Sequence, residues 1–289
     1  MKLGLVGLGR MGGGIAARLR DGGHEVVAYD LDASLTEAPS IEALVASLPS
    51  PRAVWLMIPA GEPTQGAVDA LSALLTPGDV IVEGGNSHYR DSQRRAAALA
   101  AKGIDLLDCG TSGGVWGRQN GFCLMLGGPK PAFDALEPVF ATLAPPSGYQ
   151  YLGPSGAGHF AKMAHNGVEY GLLQAYAEGF SLLEASGFDY DLARLSDLWG
   201  RGSVVRSWLL ELAQRAFEAD PKLANLQGYV EDSGEGRWAV QEAVERGLPL
   251  PAITLSLYRR FASRDGNPFA NRFIAALRNQ FGGHAVRDG

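Results

Sequence analysis

Cysteine is nearly absent from this chain: Cys109 and Cys123 are the only two in 289 residues. That count excludes a disulfide framework, and no CxxC pair exists to suggest a thiolate metal site or a redox motif. Both cysteines stand among apolar or glycine residues, so each is expected to be a small core residue. Positive charge is also scarce. Lys and Arg number 25 against 31 Asp and Glu, a formal charge of −6, which argues against general nucleic-acid binding but leaves room for a local basic pocket. No apolar run approaches the ~20 residues of a membrane span. The N-terminus reads directly into a strand, without the charged leader and apolar segment of a signal peptide, so a cytoplasmic location is expected. Internal repeats and low-complexity tracts are missing, and no residue cluster has metal-ligand spacing, so no metal is expected.

Glycine, by contrast, is abundant, with 39 residues gathered in motifs, and hydrophobic residues make up 46% of the chain. The length suffices for two domains. Through about residue 153, short β-branched runs alternate with helical segments. Lys2–Val6, Glu25–Tyr29, Ala53–Ile58, Val80–Glu83 and Asp105–Cys109 read as buried strands. Met11–Asp21, Gly66–Leu75 and Ser92–Lys102 read as helices between them. Phe122–Leu126 and Gln150–Leu152 add two strands around a helix over Ala132–Leu143. This alternation predicts an α/β fold with a parallel sheet covered on both faces.

After Pro154 the strand signals stop, and the periodicity predicts helices over about 156–186, 190–199, 203–219, 235–246, 251–263 and 268–280. The boundary is therefore expected near Gly153–Pro154: a Rossmann-like domain over 1–153, then an all-helical domain over 154–289. Gly167, Gly171 and Gly179 weaken the first of these helices and point to close approach of another helix or a ligand. Its long apolar surface suggests subunit contact, so a homodimer or homotetramer is expected.

Gly7-Leu8-Gly9-Arg10-Met11-Gly12 follows the first strand and opens the first helix. In a dinucleotide fingerprint the first glycine permits the turn, the second lets backbone approach a pyrophosphate, and the third lets helix and strand pack closely. Asp30 closes the second strand, at the spacing of the acidic residue that binds the adenosine ribose. A carboxylate there would repel a 2′-phosphate, and Leu31, Asp32 and Ala33 offer no Arg to receive one, so NAD is favoured over NADP. Glu83-Gly84-Gly85-Asn86-Ser87 and Gly110-Thr111-Ser112-Gly113-Gly114 end the next strands, where ligands of open α/β sheets gather.

The run from Gly156 to Gly171 carries a Lys, a His, an Asn and a Glu in an otherwise small or apolar helical segment. At 100° per residue Lys162, His165, Asn166 and Glu169 fall within one ~60° arc, with Tyr170 at its edge. Burying such groups unpaired would cost several kcal/mol, so they are expected to face a cavity. A base, two hydrogen-bonding groups and an acid on one face look like a catalytic site.

Together these motifs resemble 6-phosphogluconate dehydrogenase (decarboxylating), in its short form, within the β-hydroxyacid dehydrogenase superfamily. The resemblance rests on the Gly7–Gly12 fingerprint, Glu83 through Asp91, Ser112-Gly113-Gly114, the helix from Gly156 to Glu169, and the tail Phe281-Gly282-Gly283-His284. It implies NAD(P)-dependent oxidation of 6-phosphogluconate at C3, loss of CO₂ and release of ribulose 5-phosphate. It further implies that Lys162 is the general base and Glu169 the general acid. Asn86, Ser112, Gly113, Gly114, His165 and Asn166 would position substrate or nicotinamide. Tyr170, Arg237, Arg260, Arg278 and His284 would hold the phosphate or sugar, the last two from a neighbouring subunit. Arg237 replaces the family's usual Lys, Val115-Trp116 replaces acidic or small residues, and Asp30-Leu31-Asp32 replaces the common Asn-Arg-Thr, which again favours NAD. A β-hydroxyacid dehydrogenase acting on an unphosphorylated acid such as gluconate is the alternative, with a non-catalytic nucleotide-binding protein further off.

Overall fold

The computed structural model describes residues 1–266 and 268–282. The chain divides into two compact units, Met1–His165 and Asn166–Gly289. In the first, β1 (Lys2–Val6), α1 (Arg10–Asp21) and β2 (Glu25–Tyr29) are followed by α2 (Ile41–Ala46), β3 (Ala53–Leu56), α3 (Glu62–Leu74) and β4 (Val80–Glu83). Next come α4 (Tyr89–Ala100), β5 (Asp105–Ser112), a 3-10 turn (Gly114–Trp116) and the short α5 (Gly117–Asn120). β6 (Cys123–Gly127), α6 (Lys130–Leu143) and β7 (Tyr149–Gly153) complete the sheet, and the unit boundary falls within α7 (Ala157–Glu184).

The seven strands lie in the order β2-β1-β3-β4-β5-β6-β7. The chain steps from β1 outward to β2 and then returns across β1 to β3. Strand direction of travel therefore reverses beside the carboxyl end of β1, where open α/β sheets bind ligands. All neighbouring pairs are parallel except β5 and β6, which run antiparallel with Ser112 opposite Cys123. The expected parallel sheet is thus parallel at five of its six strand pairs, with β5 and β6 the exception. A parallel partner needs a long crossover, and the short link through the 3-10 turn and α5 supplies only a reversal.

Strand residues alternate between two cores. Leu3, Leu5, Trp55, Val80 and Val82 pack with Ile15, Leu19, Phe133 and Phe140 of α1 and α6. Val6, Val54, Leu56 and Ile81 pack with Leu44, Val68, Leu71 and Leu99 of α2, α3 and α4. Each fully buried aliphatic side chain contributes ~1.5–3 kcal/mol, and the two-sided burial explains why these strands read as continuous apolar runs. Helix α2 had no counterpart in the sequence reading; it starts at Ser40, whose side chain accepts from the Ala43 N–H. Cys109 is buried as expected, but Cys123 is exposed. It begins β6, where alternation gives the core position to Leu124.

The second unit is helical, as expected: the rest of α7, then α8 (Leu192–Gly200), α9 (Trp208–Ala219), α10 (Glu235–Arg246), α11 (Pro251–Ala262) and α12 (Phe269–Gly282). Phe180, Leu192, Leu210 and Phe217 form its apolar cluster. A methyl group at Gly167 would sit 3.2 Å from Ile253 and 3.4 Å from Ala239, so α10 and α11 do approach α7 there. At Gly171 and Gly179 a methyl group would meet nothing within 4 Å among the described residues, so no other described helix of the chain approaches them. No helix among the described residues is long and apolar enough to cross a membrane.

Candidate active site

The three fingerprint glycines have three separate reasons to be glycine. Gly7 has φ +95°, and a Cβ there would lie 2.4 Å from the Met57 carbonyl oxygen. A Cβ on Gly12 would lie 1.9 Å from the Gly7 carbonyl oxygen, so helix α1 can pack on β1 only without it. At Gly9 an added Cβ would meet nothing within 4 Å. That open face, at the N-terminus of a twelve-residue helix with no acidic residue in its first turn, fits a pyrophosphate. Asp30 is already tied to this loop: one carboxylate oxygen accepts from the Leu8 N–H at 2.5 Å, the other from the Asp32 N–H at 2.9 Å. The carboxylate is thereby held at the end of β2, where a ribose edge would meet it.

The ends of β4 and β5 supply the next part. Glu83 is fully buried and pairs with the equally buried Arg95 at 2.6 Å. The Arg95 guanidinium also donates to the Gln65 side chain and the Gly61 carbonyl, so α3, α4 and the end of β4 share one anchor. Just beyond it, Gly85 comes close enough to the segment after β3 that a Cβ would lie 2.4 Å from the Ile58 carbonyl oxygen. Asn86 is exposed at the tip.

Lys162 is 7% exposed. It reaches this region because the first turns of α7 lie directly on the sheet. Asp108 in β5, fully buried, accepts from the Gly156 N–H at 2.7 Å and the His159 N–H at 2.8 Å. A carboxylate from another element thus caps the helix, satisfying amides that no residue of α7 could reach. The His159 ring hydrogen-bonds Ser92 Oγ at 2.7 Å. A Cβ on Gly158 would lie 2.3 Å from the Met125 carbonyl oxygen, and one on Gly110 would lie 2.4 Å from Lys162 Cβ. One turn on, His165 Nε2 lies 3.4 Å from Ser112 Oγ, next to Gly113 at φ +130° and Gly114 at φ +55°. Asp30, the Gly7–Gly12 loop, Asn86, Ser112–Gly114, Lys162 and His165 therefore all stand at carboxyl ends of strands in the first unit.

In the helical unit Asn166 is buried, Glu169 half-buried and Tyr170 buried at 4% exposure. The Tyr170 ring is packed: Gly236 lies so close that a Cβ would be 2.4 Å from it, and the Arg260 guanidinium sits 3.5 Å over its centroid. Its hydroxyl accepts from the Ser233 N–H at 3.3 Å. Arg237 donates twice to Asp232, at 2.7 and 3.0 Å, and its guanidinium lies 4.6 Å over the Phe261 ring. Structure thus gathers Tyr170, Arg237 and Arg260 within one unit. The side chain of Arg278, and His284 altogether, lie outside the described residues.

Several contributors escaped the sequence reading. Asp108 and Arg95 look like ordinary polar residues of a strand and a helix, and only tertiary contacts show what they anchor. Glu235, at the first turn of α10, is 2% exposed, and among the described residues neither carboxylate oxygen has a hydrogen-bond partner. Asp232 and Arg264 form an ion pair at 2.7 Å beside Arg237. Asp232 stands five residues before Arg237, a separation no helical period makes obvious. Among the described residues no group of three His, Cys, Asp or Glu side chains is placed to hold a metal ion.

Comparison with known proteins gives a match for each unit of the chain. Residues 2–153 match the NAD binding domain of 6-phosphogluconate dehydrogenase, and residues 158–268 match the 6-phosphogluconate dehydrogenase C-terminal domain. The NAD(+)-dependent, decarboxylating 6-phosphogluconate dehydrogenase of Haloferax volcanii is 46% identical over 297 residues, covering 99% of this chain and 98% of that protein. The decarboxylating enzyme of Bacillus licheniformis is 34% identical over 287 residues, a match spanning 90% of this chain but 61% of that longer protein. Among solved structures, that of Plasmodium falciparum 6-phosphogluconate dehydrogenase, described in apo form and in complex with NADP+ and with 6-phosphogluconate, matches with a TM-score of 0.84. The identity there is 26%, over 100% of this chain and 66% of that one. Identity of this order, sustained through the dinucleotide-binding sheet and into the helical unit, shows that the chain belongs to the 6-phosphogluconate dehydrogenase family.

Proposed function

We propose that this protein is an NAD-preferring decarboxylating dehydrogenase that converts 6-phosphogluconate to ribulose 5-phosphate and CO₂. Residues 1–153 would bind the dinucleotide through Gly7–Gly12 and Asp30, and residues 154–289 would supply most groups for the sugar phosphate. The observation that carries the reading is Lys162, buried against Gly110 at the end of β5 beside the Ser112–His165 contact.

Bound nicotinamide supplies the hydride acceptor; the residues supply the proton chemistry. Oxidation at C3 proceeds as the 3-hydroxyl loses its proton, and the Lys162 amine is the group to take it. The resulting ammonium then donates a hydrogen bond to the 3-keto oxygen, where negative charge collects as the C1 carboxylate leaves as CO₂. Glu169 stands seven residues further along α7, ~10 Å away. It would deliver the proton that C1 of the enediol needs. Ser112, His165, Asn166 and Asn86 would orient the polyol and nicotinamide, while Tyr170, Arg237 and Arg260, with Arg278 and His284 of a neighbouring subunit, would receive the phosphate. Leu172, Leu182, Val204 and Val205, exposed on the helical unit, support the expected homodimer or homotetramer. The absence of an Arg after Asp30, and the carboxylate fixed to the Leu8 amide, support NAD.

The experiment is a set of initial rates with 6-phosphogluconate or gluconate, each with NAD or NADP, following reduced cofactor and CO₂ together. Stoichiometric CO₂ with 6-phosphogluconate and NAD is expected. Turnover confined to gluconate, or reduction without CO₂, would replace this reading with the unphosphorylated-acid dehydrogenase.

A further inference from the structure

Arg264 is the residue of the helical unit that neither the motifs nor the family resemblance singled out, yet it shares a buried anchor with Arg237. The Asp232 side chain is 2% exposed and accepts from Arg237 Nε at 2.7 Å, Arg237 Nη2 at 3.0 Å and Arg264 Nη2 at 2.7 Å. Both Arg side chains are far more open, at 49% and 26% exposure. One hidden carboxylate therefore grips the inner edges of two guanidinium groups and leaves their outer edges toward solvent. The Arg264 Nε donates to the Val230 carbonyl at 3.1 Å, which fixes that fork a second time.

Rings complete the frame. Arg264 lies 5.8 Å from the Phe261 centroid, on the same ring that Arg237 covers at 4.6 Å. Arg260, one residue before Phe261 on α11, lies on Tyr170 and donates to the Glu231 carbonyl at 2.9 Å. Three guanidinium groups are thus brought to the segment Val230–Asp232, and only two of them share its carboxylate. Among the described residues, Nη1 of Arg237 and Nη1 of Arg264 donate to no protein acceptor. Fixed, outward-facing N–H forks with unused donors match the geometry of a tetrahedral oxyanion.

We infer that Arg264 is a phosphate-specificity residue, acting with Arg237 and Arg260 on the dianionic end of the substrate, and that Asp232 is the positioning residue that aims the Arg237 and Arg264 forks. The inference deepens the proposed reaction and rests on that reading for the identity of the substrate. Asp232 stays charged at every pH at which an enzyme would work, since the hydrogen bonds from Arg237, above all, hold its carboxyl down to about 2. The forks are accordingly aimed before any ligand arrives, and no ordering is needed on binding.

The test uses the full-length protein with Arg264→Gln, Arg264→Lys and Asp232→Asn. Steady-state rates are measured with 6-phosphogluconate and with gluconate, inorganic phosphate serves as competitive inhibitor, and thermal midpoints are recorded with and without phosphate. Losing one charge-assisted fork predicts a KM for 6-phosphogluconate raised ~10- to 100-fold, a phosphate Ki raised in parallel, and discrimination against gluconate reduced by a similar factor. Arg264→Lys, which keeps the charge without the planar fork, should fall between wild type and Arg264→Gln, and Asp232→Asn should weaken phosphate binding although it makes the patch more positive. A folded Arg264→Gln enzyme with KM and phosphate Ki within twofold of wild type overturns the inference, as does a loss confined to kcat or to thermal stability. If the wild-type protein does not turn over 6-phosphogluconate, the proposed reaction fails. The inference is then decided by inorganic phosphate alone, which must raise the wild-type midpoint and leave that of Arg264→Gln unmoved.

Discussion

Replacing Gly110 with Ala adds one methyl group beneath the proposed catalytic lysine, and the structure says what it would strike. The new Cβ would lie 2.4 Å from Lys162 Cβ, 2.9 Å from the Gly158 carbonyl oxygen and 3.1 Å from Lys162 Cγ. Carbon atoms in contact prefer ~3.5–4.0 Å, so a gap of about 1 Å must open. The atom struck first is the root of the Lys162 side chain, so rotating the flexible end of the lysine cannot relieve the clash. Separation of strand and helix is resisted as well, because the Asp108 carboxylate holds the Gly156 and His159 amides. Overpacking of this kind costs ~1–3 kcal/mol of stability. Displacing a reacting group by about 1 Å costs on the order of 100-fold in rate. Gly110→Ala is therefore expected to lose ~100-fold in kcat with 6-phosphogluconate, to melt several degrees lower, and to bind NAD with an affinity within a few-fold of wild type. Stopped-flow or steady-state NADH production, calorimetric NAD titration and a thermal melt measure the three quantities. A folded Gly110→Ala enzyme with wild-type kcat would refute the argument that strand–helix contact at this glycine places the base.

Lys162→Met keeps most of the side-chain volume and removes the amine; turnover should fall below detection while NAD affinity, measured by titration, changes little, and surviving turnover removes the base assignment. Asp30→Ala should narrow the preference for NAD over NADP in kcat/KM and also loosen the Leu8 amide it now holds; an unchanged ratio discredits the carboxylate as the selector. Asp232 gives a pH prediction with a definite sign. Its folded carboxyl is depressed from 3.8 to about 2, so the stability it contributes is complete above the unfolded value and disappears as pH falls from about 4 towards 2. Allowing for solvent around the two Arg partners, this amounts to about 1–2 kcal/mol. Urea titrations should show wild type more stable than Asp232→Asn by that amount at neutral pH, with the gap closing in acid; a gap independent of pH would contradict the ion-pair account.

Local chemistry made much of the first unit readable. A strand buried on both faces shows itself as an apolar run, and Gly7, Gly9 and Gly12 sit where a strand must turn into a helix without side chains in the way. The helical boundaries were readable where period and caps agree, as in α10, which begins at Glu235 and closes at Gly247 with φ +64°. Where the outcome depended on a neighbour, the pattern misled. Cys123 shares its apolar surroundings with Leu124, yet alternation at the mouth of β6 turns one outward and the other into the core. The antiparallel turn of β6 follows from the length of a connection, which no apolar period records. Gly167 and Gly171 look alike in sequence, but among the described residues only the first is approached by other helices.

By itself the sequence determined which groups stand side by side: a strand–glycine–helix loop closed by an acidic residue, and a helix whose one face collects an amine, an imidazole, an amide and a carboxyl group. These are properties of spacing, and helical or strand periodicity converts spacing into direction without knowledge of any other element. Tertiary structure alone decided what holds those groups in place. Asp108 reaches across 48 residues to cap α7, Arg95 ties Glu83 to the loops around it, and Asp232 gathers two arginines 27 residues apart. Each of these depends on where two distant backbones meet, and an isolated residue type carries no trace of that meeting.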